Sequence, residues 1–213
     1  MNGGRMPKHK STVVEYVEAI VWALVLTLLL RAFVIQAFRI PSESMVPTLL
    51  VGDFLFVNKF EYGPKIPFTH IRLKGLRPPR RGDVIVFQWP VNPSKDFIKR
   101  CMGTPGHTLE VRDKRVIVDG DTLVEPYAVH IDPAYHPRGY DVRDYFGPIT
   151  VKPNELFMMG DNRDNSNDSR FWGPVNMDLV KGRAMFIYFS TAGKDLWTFL
   201  SKIRFERLFR PIR

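Results

Sequence analysis

The sequence lacks the residue patterns from which several common sites are built. Its 213 residues contain one cysteine, Cys101, so no disulfide can form within the chain. The five histidines have no metal-ligand spacing, and no other cysteine accompanies Cys101. A glycine-rich phosphate loop of the GxxxxGKS/T kind is missing as well. The sequence therefore predicts an activity that needs no metal and no cofactor.

An excess of basic residues is also missing from most of the chain, although the formal net charge is +9. Residues 1–12 carry three bases and no acid, and residues 181–213 carry eight bases and two acids. The 168 residues between these two ends contain 20 basic and 20 acidic residues and are therefore neutral. A nucleic-acid-binding protein would more often spread its basic residues over the folded body, whereas charge at both chain ends suits anionic lipid. We expect membrane phospholipid and no nucleic acid among the partners.

Only one hydrophobic run is long enough to cross a bilayer. From Ala19 to Leu30 the sequence is apolar apart from Thr27. A helix over residues 13–31 would span roughly 28 Å, close to the thickness of the hydrocarbon core. The bases before it predict a cytoplasmic tail (1–12), which leaves residues 32–213 on the extracytoplasmic side. A cleaved secretory signal and a buried core helix are the alternatives, but no small-x-small cleavage site follows the run.

After this run the pattern becomes that of β-strands. Short β-branched or aromatic segments end at Gly, Pro or Asp and predict strands at 53–57, 83–87, 108–111, 116–118, 156–159 and 184–189. Residues 112–115 predict a hairpin turn, and residues 127–147 show no period and predict an ordered loop on a small inserted β subdomain (about 108–153). The fold class is therefore mainly β, with one transmembrane helix before an antiparallel, partly closed β domain.

The C-terminal segment 196–209 is aromatic, basic and roughly amphipathic. It predicts a helix that either lies on a membrane surface or packs on the β domain. The sequence leaves both possibilities open.

Two hydroxyl groups lie in a stiff, apolar segment. Ser42 and Ser44 lie between Pro41 and Pro47, and apolar residues flank them. Proline fixes φ and pushes the preceding residue toward extended geometry, so this backbone is held rigid. A nucleophile beside an apolar substrate pocket would be built in this way. The alternative is a tight turn in which one serine caps a short helix over 45–50.

Lys99 is the candidate base, because a lysine within an apolar extended run is unusual. Burial would lower the pKa of its amine, and a neutral lysine near Ser44 could accept the hydroxyl proton. The alternative is an edge strand from which Lys99 and Arg100 point to solvent. A Ser-His-Asp triad also stays open, although nothing distinguishes any one histidine.

The third candidate segment runs from residue 160 to residue 173 and surrounds Arg163 and Arg170 with acids and amides. Carboxylate–guanidinium and Asx-type hydrogen bonds can make such a loop rigid. It lacks the central glycine and terminal glutamate of an EF-hand. We therefore interpret it as a scaffold that aims one hydroxyl at a neighbouring group.

Together these segments resemble bacterial signal peptidase I, the membrane-bound leader peptidase. The matching stretches are the apolar helix and residues 41–49, 81–87, 97–106 and 160–173, in the family's order. The resemblance implies a serine endopeptidase with Ser44 as nucleophile and Lys99 as general base. It further implies an oxyanion hole made by the Ser44 amide and the Ser42 hydroxyl, a Ser166 hydroxyl that orients the lysine, and a supporting ion pair between Asp168 and Arg170. His107 departs from the family pattern, which has an acid there.

The resemblance also implies substrates, location and partners. The substrates would be signal peptides of secreted preproteins, cut after small residues at positions −3 and −1, at the bacterial inner membrane. The enzyme would act as a monomer near the export machinery. The small residues at positions −3 and −1 would enter two shallow apolar pockets. Our candidates for the pocket walls are the apolar residues that we expect near Ser44 and Lys99: Phe38, Ile40, Pro41, Met45, Leu49, Val86, Phe97 and Ile98. A serine–lysine peptidase with one dedicated substrate and a non-catalytic membrane-anchored β domain are the alternatives.

Overall fold

The described part of the chain begins with one long helix, α1 (Thr12–Phe33). The computed structural model describes residues 11–66, 69, 71–193 and 196–213, so residues 1–10 of the predicted cytoplasmic tail lie outside the described part. The predicted span, residues 13–31, lies within α1. No residue of α1 is buried, which excludes the core-helix alternative. Its length and composition suffice to cross a membrane, as those of a signal sequence also do.

Two antiparallel sheets follow the helix and confirm the mainly β, partly closed fold. The larger sheet has seven strands in the order β1-β2-β11-β3-β4-β9-β10, and the smaller sheet has four in the order β7-β6-β5-β8. Both are open at their ends. In chain order the strands are β1 Ile35–Arg39, β2 Asp53–Asn58, β3 Val84–Trp89, β4 Asn92–Gly103, β5 Thr108–Arg112, β6 Arg115–Val118, β7 Asp121–Thr122, β8 Phe146–Thr150, β9 Glu155–Met159, β10 Val175–Asn176 and β11 Val180–Ser190.

The smaller sheet lies within the predicted insertion, residues 108–153. Its hairpin is confirmed, because Val111 pairs with Val116 across a turn at Asp113 and Lys114. The segment between β7 and β8 contains no strand and is held by side-chain hydrogen bonds and ion pairs, such as those of Arg143 with Asp132 and Asp144. His107, the departure from the family pattern, lies 2.5 Å from the carboxylate of Asp119 and joins the two ends of this hairpin. That this sheet is a separate domain stays a prediction.

Strand β4 is an interior strand, paired with β3 on one side and β9 on the other. Lys99 and Arg100 are consequently only 3% and 1% exposed. The alternative in which both residues point to solvent from an edge strand is therefore wrong. An interior position gives the lysine the dry surroundings that its predicted role requires.

The C-terminal segment differs from the predicted helix. Only α3 (Leu196–Ser201) is helical, followed by a 3-10 turn at Phe205–Arg207. The buried carboxylate of Asp53 binds the Arg207 guanidinium at 2.5 Å and fixes the chain there. Beyond it, the amides of Phe209 and Ile212 donate to the carbonyls of Ile187 and Met185 on β11. Hydrogen bonds to the sheet thus replace those that a longer helix would make.

Candidate active site

Three segments that are far apart in sequence line one cavity of about 270 Å³. The β1–β2 connection contributes Ser42 and Ser44, strand β4 contributes Lys99, and the loop after β9 contributes Asn165 and Asn167. The other lining residues are Pro41, Glu43, Asp96, Phe97 and Ile98. The three stretches singled out in the sequence therefore meet at one place.

Ser44 lies in a turn that is anchored at both ends. The Ile40 amide donates to the Asp53 carbonyl at 2.8 Å, which closes the base of the connection. Met45 and Leu49 are fully buried in the core beneath it. The segment forms turns, not the short helix of the alternative interpretation. A buried apolar underside fixes the turn and leaves Ser44 at the cavity wall.

The groups around the Ser44 hydroxyl include two hydrogen-bond donors. Ser42 Oγ lies 3.4 Å from Ser44 Oγ. The Ser44 amide makes no hydrogen bond to the described part of the chain. A free amide and a neighbouring hydroxyl are the kind of donors that can stabilise a negatively charged oxygen.

Asn162 holds the backbone of this turn from the opposite segment. Its amide donates to the Ser44 carbonyl at 3.1 Å, and its side chain donates to the Glu43 carbonyl at 3.3 Å. Gly160 permits the approach, since a Cβ there would lie 2.4 Å from the Ser44 carbonyl oxygen and 2.2 Å from Ser166 Oγ. Sequence reasoning missed both residues, because only the folded chain brings them to Ser44.

Lys99 has the electrostatic environment of a base. Burial lowers the pKa of its amine to about 8, and the Arg170 charge acts in the same direction. The carboxylates of Asp168 and Asp161 oppose this shift but do not cancel it. An amine with this pKa is partly neutral near pH 7 and can accept a proton.

Ser44 and Lys99 line the same cavity, but among the described residues no hydrogen bond joins Ser44 Oγ to Lys99 Nζ. Catalytic hydrogen bonds are often long without substrate and tighten when it binds. Lys99 Nζ lies 5.7 Å from the centre of the Phe97 ring. The catalytic roles of Ser42, Ser44, Lys99 and Ser166 stay predictions.

The loop that carries Ser166 is fixed by Asp168 and Arg170. The Arg170 guanidinium donates two hydrogen bonds of 2.9 Å to the Asp168 carboxylate. Asp168 also accepts from the Gly160 amide at 3.1 Å and caps α2 (Ser169–Trp172). Burial would raise the pKa of Asp168, but the charge and hydrogen bonds of Arg170 keep it below its ordinary value. The buried Ser166 hydroxyl makes no hydrogen bond of ordinary geometry. It nevertheless lies close enough to the Asp168 carboxylate to lower the pKa of that carboxylate further.

A buried network that the sequence did not predict ties the three segments together. The Arg100 guanidinium donates to both carboxylate oxygens of Asp161, at 2.7 and 2.6 Å. The Thr48 hydroxyl donates to the same carboxylate at 2.5 Å, and Arg100 lies 3.8 Å from the centre of the Tyr127 ring. Since Arg100 follows Lys99, and Thr48 lies four residues after Ser44, the network fixes both chain segments relative to each other.

Replacing Asp161 with alanine should destabilise the protein, because it leaves the Arg100 charge buried and unpaired. We expect a loss of about 3–5 kcal/mol in the free energy of unfolding. Thermal or denaturant unfolding followed by circular dichroism would measure it. The exposed pair of Glu110 and Arg112 supplies the control, since Glu110→Ala should cost no more than about 1 kcal/mol. Equal losses in the two variants would contradict the importance of the network.

The eight predicted pocket residues fall into two groups. Pro41, Phe97 and Ile98 line the cavity. The other five pack in or against the core that contains Met45 and do not line the cavity: Phe38, Ile40, Met45, Leu49 and Val86. Their contact with a substrate stays a prediction, whereas the structure shows that they belong to or pack against the same hydrophobic cluster.

Comparison with known proteins found a family model and individual relatives. A protein-family model described as signal peptidase, peptidase S26, matches residues 13–189. Signal peptidase I of Pseudomonas fluorescens is 38% identical over 184 residues, which cover 78% of this chain and 65% of that protein. Signal peptidase I of Leptolyngbya laminosa is 40% identical over 187 residues, covering 84% and 81% of the two chains. The solved signal peptidase I of Enterococcus faecalis V583 is 30% identical, with a TM-score of 0.41, and covers 51% of this chain and 98% of its own. The chain thus spans slightly less than two thirds of the Pseudomonas relative.

Proposed function

Because the chain belongs to the signal peptidase family, peptidase S26, we propose that it is a membrane-anchored serine endopeptidase that removes signal peptides from exported preproteins. The observation that carries this proposal is that the Ser44 hydroxyl and the buried Lys99 amine line one cavity. A nucleophile and a base of depressed pKa are the two groups that a serine–lysine mechanism needs.

The proposed reaction proceeds through an acyl-enzyme. Ser44 Oγ attacks the carbonyl carbon of the scissile peptide while the neutral Lys99 amine takes the hydroxyl proton. The Ser44 amide and the Ser42 hydroxyl donate to the oxygen that becomes negatively charged. The protonated lysine then gives its proton to the leaving amine. Water, deprotonated by the same lysine, hydrolyses the Ser44 ester and restores the enzyme.

The cavity supports a preference for small side chains. Its volume of about 270 Å³ is modest, and Phe97 and Ile98 take up part of the wall. We propose that it accepts the small residues at positions −1 and −3 of a signal peptide. A bulkier side chain would contact these walls, so substrates with large residues at the two positions should be cut more slowly.

The apolar helix α1 supports anchoring at the membrane, where signal peptides are also located. The three bases within residues 1–12 favour a cytoplasmic N-terminus. We propose that the catalytic domain lies on the extracytoplasmic face of the bacterial inner membrane, in contact with phospholipid. There the enzyme would act as a monomer near the export machinery.

The direct test is cleavage of a preprotein by the detergent-solubilised full chain. The wild type should release the signal peptide, and mass spectrometry of both products should place the cut after a small residue. A panel of unrelated preproteins separates a general enzyme from one with a single substrate. Absence of cleavage across the panel would contradict the proposed function.

The rate should depend on pH through Lys99. Only the neutral amine can accept a proton, and its pKa is lowered to about 8. Below this pH we therefore expect kcat/KM to fall about tenfold per pH unit, and above it to level off. Initial rates on one substrate between pH 5 and pH 10 would show this. A flat profile from pH 9 to pH 5 would contradict a lysine base.

A further inference from the structure

The loop that carries Ser166 is held from outside by the segment between β7 and β8. The Val129 amide donates to the Asp161 carbonyl at 2.8 Å, and the Arg163 amide donates back to the Val129 carbonyl at 3.0 Å. The Arg163 guanidinium also binds the Glu125 carboxylate at 2.7 and 2.8 Å. Residues 125–129 therefore run beside residues 161–163 and fix the first half of the loop.

Asp164 makes the next contact, two residues before Ser166. Its side chain is only 2% exposed and accepts from the Asp132 amide at 2.9 Å. Lys114 Nζ lies 3.4 Å and His130 Nδ1 lies 3.3 Å from the same carboxylate. Lys114 also donates to the Asp132 carbonyl at 2.6 Å. One lysine thus binds both the loop and the segment that supports it.

The position of Lys114 requires an unusual backbone. It occupies the turn of the β5–β6 hairpin with φ +64°, in the left-handed region that residues other than glycine, asparagine, aspartate and histidine seldom adopt. The hairpin pairing and the hydrogen bond from the Lys114 amide to the Asp144 carbonyl hold it there. Positive φ at both Asp113 and Lys114 is what a two-residue hairpin turn requires, and glycine is the usual second residue there. A lysine in this place is therefore unusual, and its side chain reaches Asp164.

We propose that Lys114 and Asp164 are positioning residues that hold the Ser166 loop against the active-site cavity. Neither residue lines that cavity, so both would act through the loop and not by touching the substrate. The smaller sheet, whose β5–β6 turn contains Lys114, would then help to position the catalytic groups. This inference rests on the proposed peptidase function and deepens it.

The consequence of removing either partner follows from the burial of the pair. Without Lys114 the buried Asp164 carboxylate loses its lysine partner and keeps Arg143 Nε at 3.8 Å and His130 Nδ1 at 3.3 Å. We expect the loop to shift so that water compensates for the lost charge. The loop also carries Asp161, Asp168 and Arg170, the charged groups that act on Lys99. A displaced loop would admit water beside Lys99, and because burial is the main cause of its low pKa, that pKa would rise toward its ordinary value.

The experiment compares Lys114→Met, Asp164→Asn and the double variant in the full chain with preprotein substrate. We expect kcat to fall by about ten- to a hundredfold with KM nearly unchanged, since a misplaced loop impairs the reaction more than binding. The midpoint of the pH–rate profile should move upward. The double variant should lose less than the sum of the two single losses, because both changes remove the contact between Lys114 and Asp164. Lys152→Met and Asp121→Asn, which alter exposed side chains of the same region, should behave as the wild type.

Hydrogen exchange provides a measurement that does not need activity. In Lys114→Met and Asp164→Asn the amides of residues 160–167 should exchange faster, while those of β3 and β4 keep the wild-type rate. Unchanged exchange in this loop, unchanged kcat in both variants, an unmoved pH midpoint, or additive losses in the double variant would each overturn the proposal. If the wild type cleaved no preprotein, the proposed function would fail, while the exchange result would still decide whether Lys114 and Asp164 hold the loop.

Discussion

Replacing Ser44 with alanine should reduce preprotein cleavage by about four to six orders of magnitude, because it removes the hydroxyl that we propose forms the acyl-enzyme. The fold should survive the change. Among the described residues the Ser44 hydroxyl makes one hydrogen bond, at 3.4 Å to Ser42 Oγ, so its removal should cost less than about 1 kcal/mol in the free energy of unfolding. Cleavage rates and thermal unfolding of the same preparation would test both expectations.

Ser42 supplies the matched control for this prediction. It lies two residues away and lines the same cavity, but its proposed role is to donate one hydrogen bond to the oxyanion. Ser42→Ala should therefore reduce kcat by about a hundred- to a thousandfold, which is far less than Ser44→Ala. Ser201, which is exposed, can be changed to alanine as a neutral comparison. Equal losses in Ser42→Ala and Ser44→Ala, or near-normal cleavage in Ser44→Ala, would refute the assignment of the nucleophile.

Replacing Lys99 with methionine should abolish cleavage to a similar extent. Methionine retains the unbranched, flexible side chain but carries no basic nitrogen, so the Ser44 hydroxyl would have no group to accept its proton. Because the Lys99 side chain is almost completely buried, loss of its charge should leave the protein as stable as the wild type or more stable. Loss of activity together with unchanged or increased stability would separate a catalytic role from a structural one.

Arginine at the same position provides a second control. Lys99→Arg retains a positive charge and a long side chain, but a guanidinium is not deprotonated in proteins and cannot act as a base. We therefore expect Lys99→Arg to be as inactive as Lys99→Met. Substantial activity in either variant would mean that another group takes the proton from Ser44.

The sequence was most informative where one short stretch carries its own chemistry. Ser42 and Ser44 between two prolines, and Lys99 in an apolar run, could each be recognised from neighbouring residues. The β5–β6 hairpin was also predictable, because alternating apolar residues flank a polar turn. In each of these cases the deciding features are local in the sequence, and the structure places Ser42, Ser44 and Lys99 around one cavity.

The contacts between distant segments could not be predicted. Nothing near Asp161 in the sequence indicates that its carboxylate binds Arg100 and Thr48, and nothing near Lys114 points to Asp164. The same limit explains the C-terminal error. The amphipathic pattern of residues 196–209 favoured a helix, but Asp53, which lies 154 positions before Arg207, holds the chain in another conformation. Local propensity gives way when a buried charge supplies a stronger constraint.

Titration of the Lys99 amine tests the central claim most directly. In the full chain with ¹⁵N-labelled lysine, the side-chain signal that disappears in Lys99→Met can be followed by NMR as the pH is raised. The account predicts a midpoint near the lowered pKa of about 8, well below the ordinary lysine value of 10.5. A Lys99 signal that stays protonated to pH 10 would contradict the claim that a neutral amine activates Ser44.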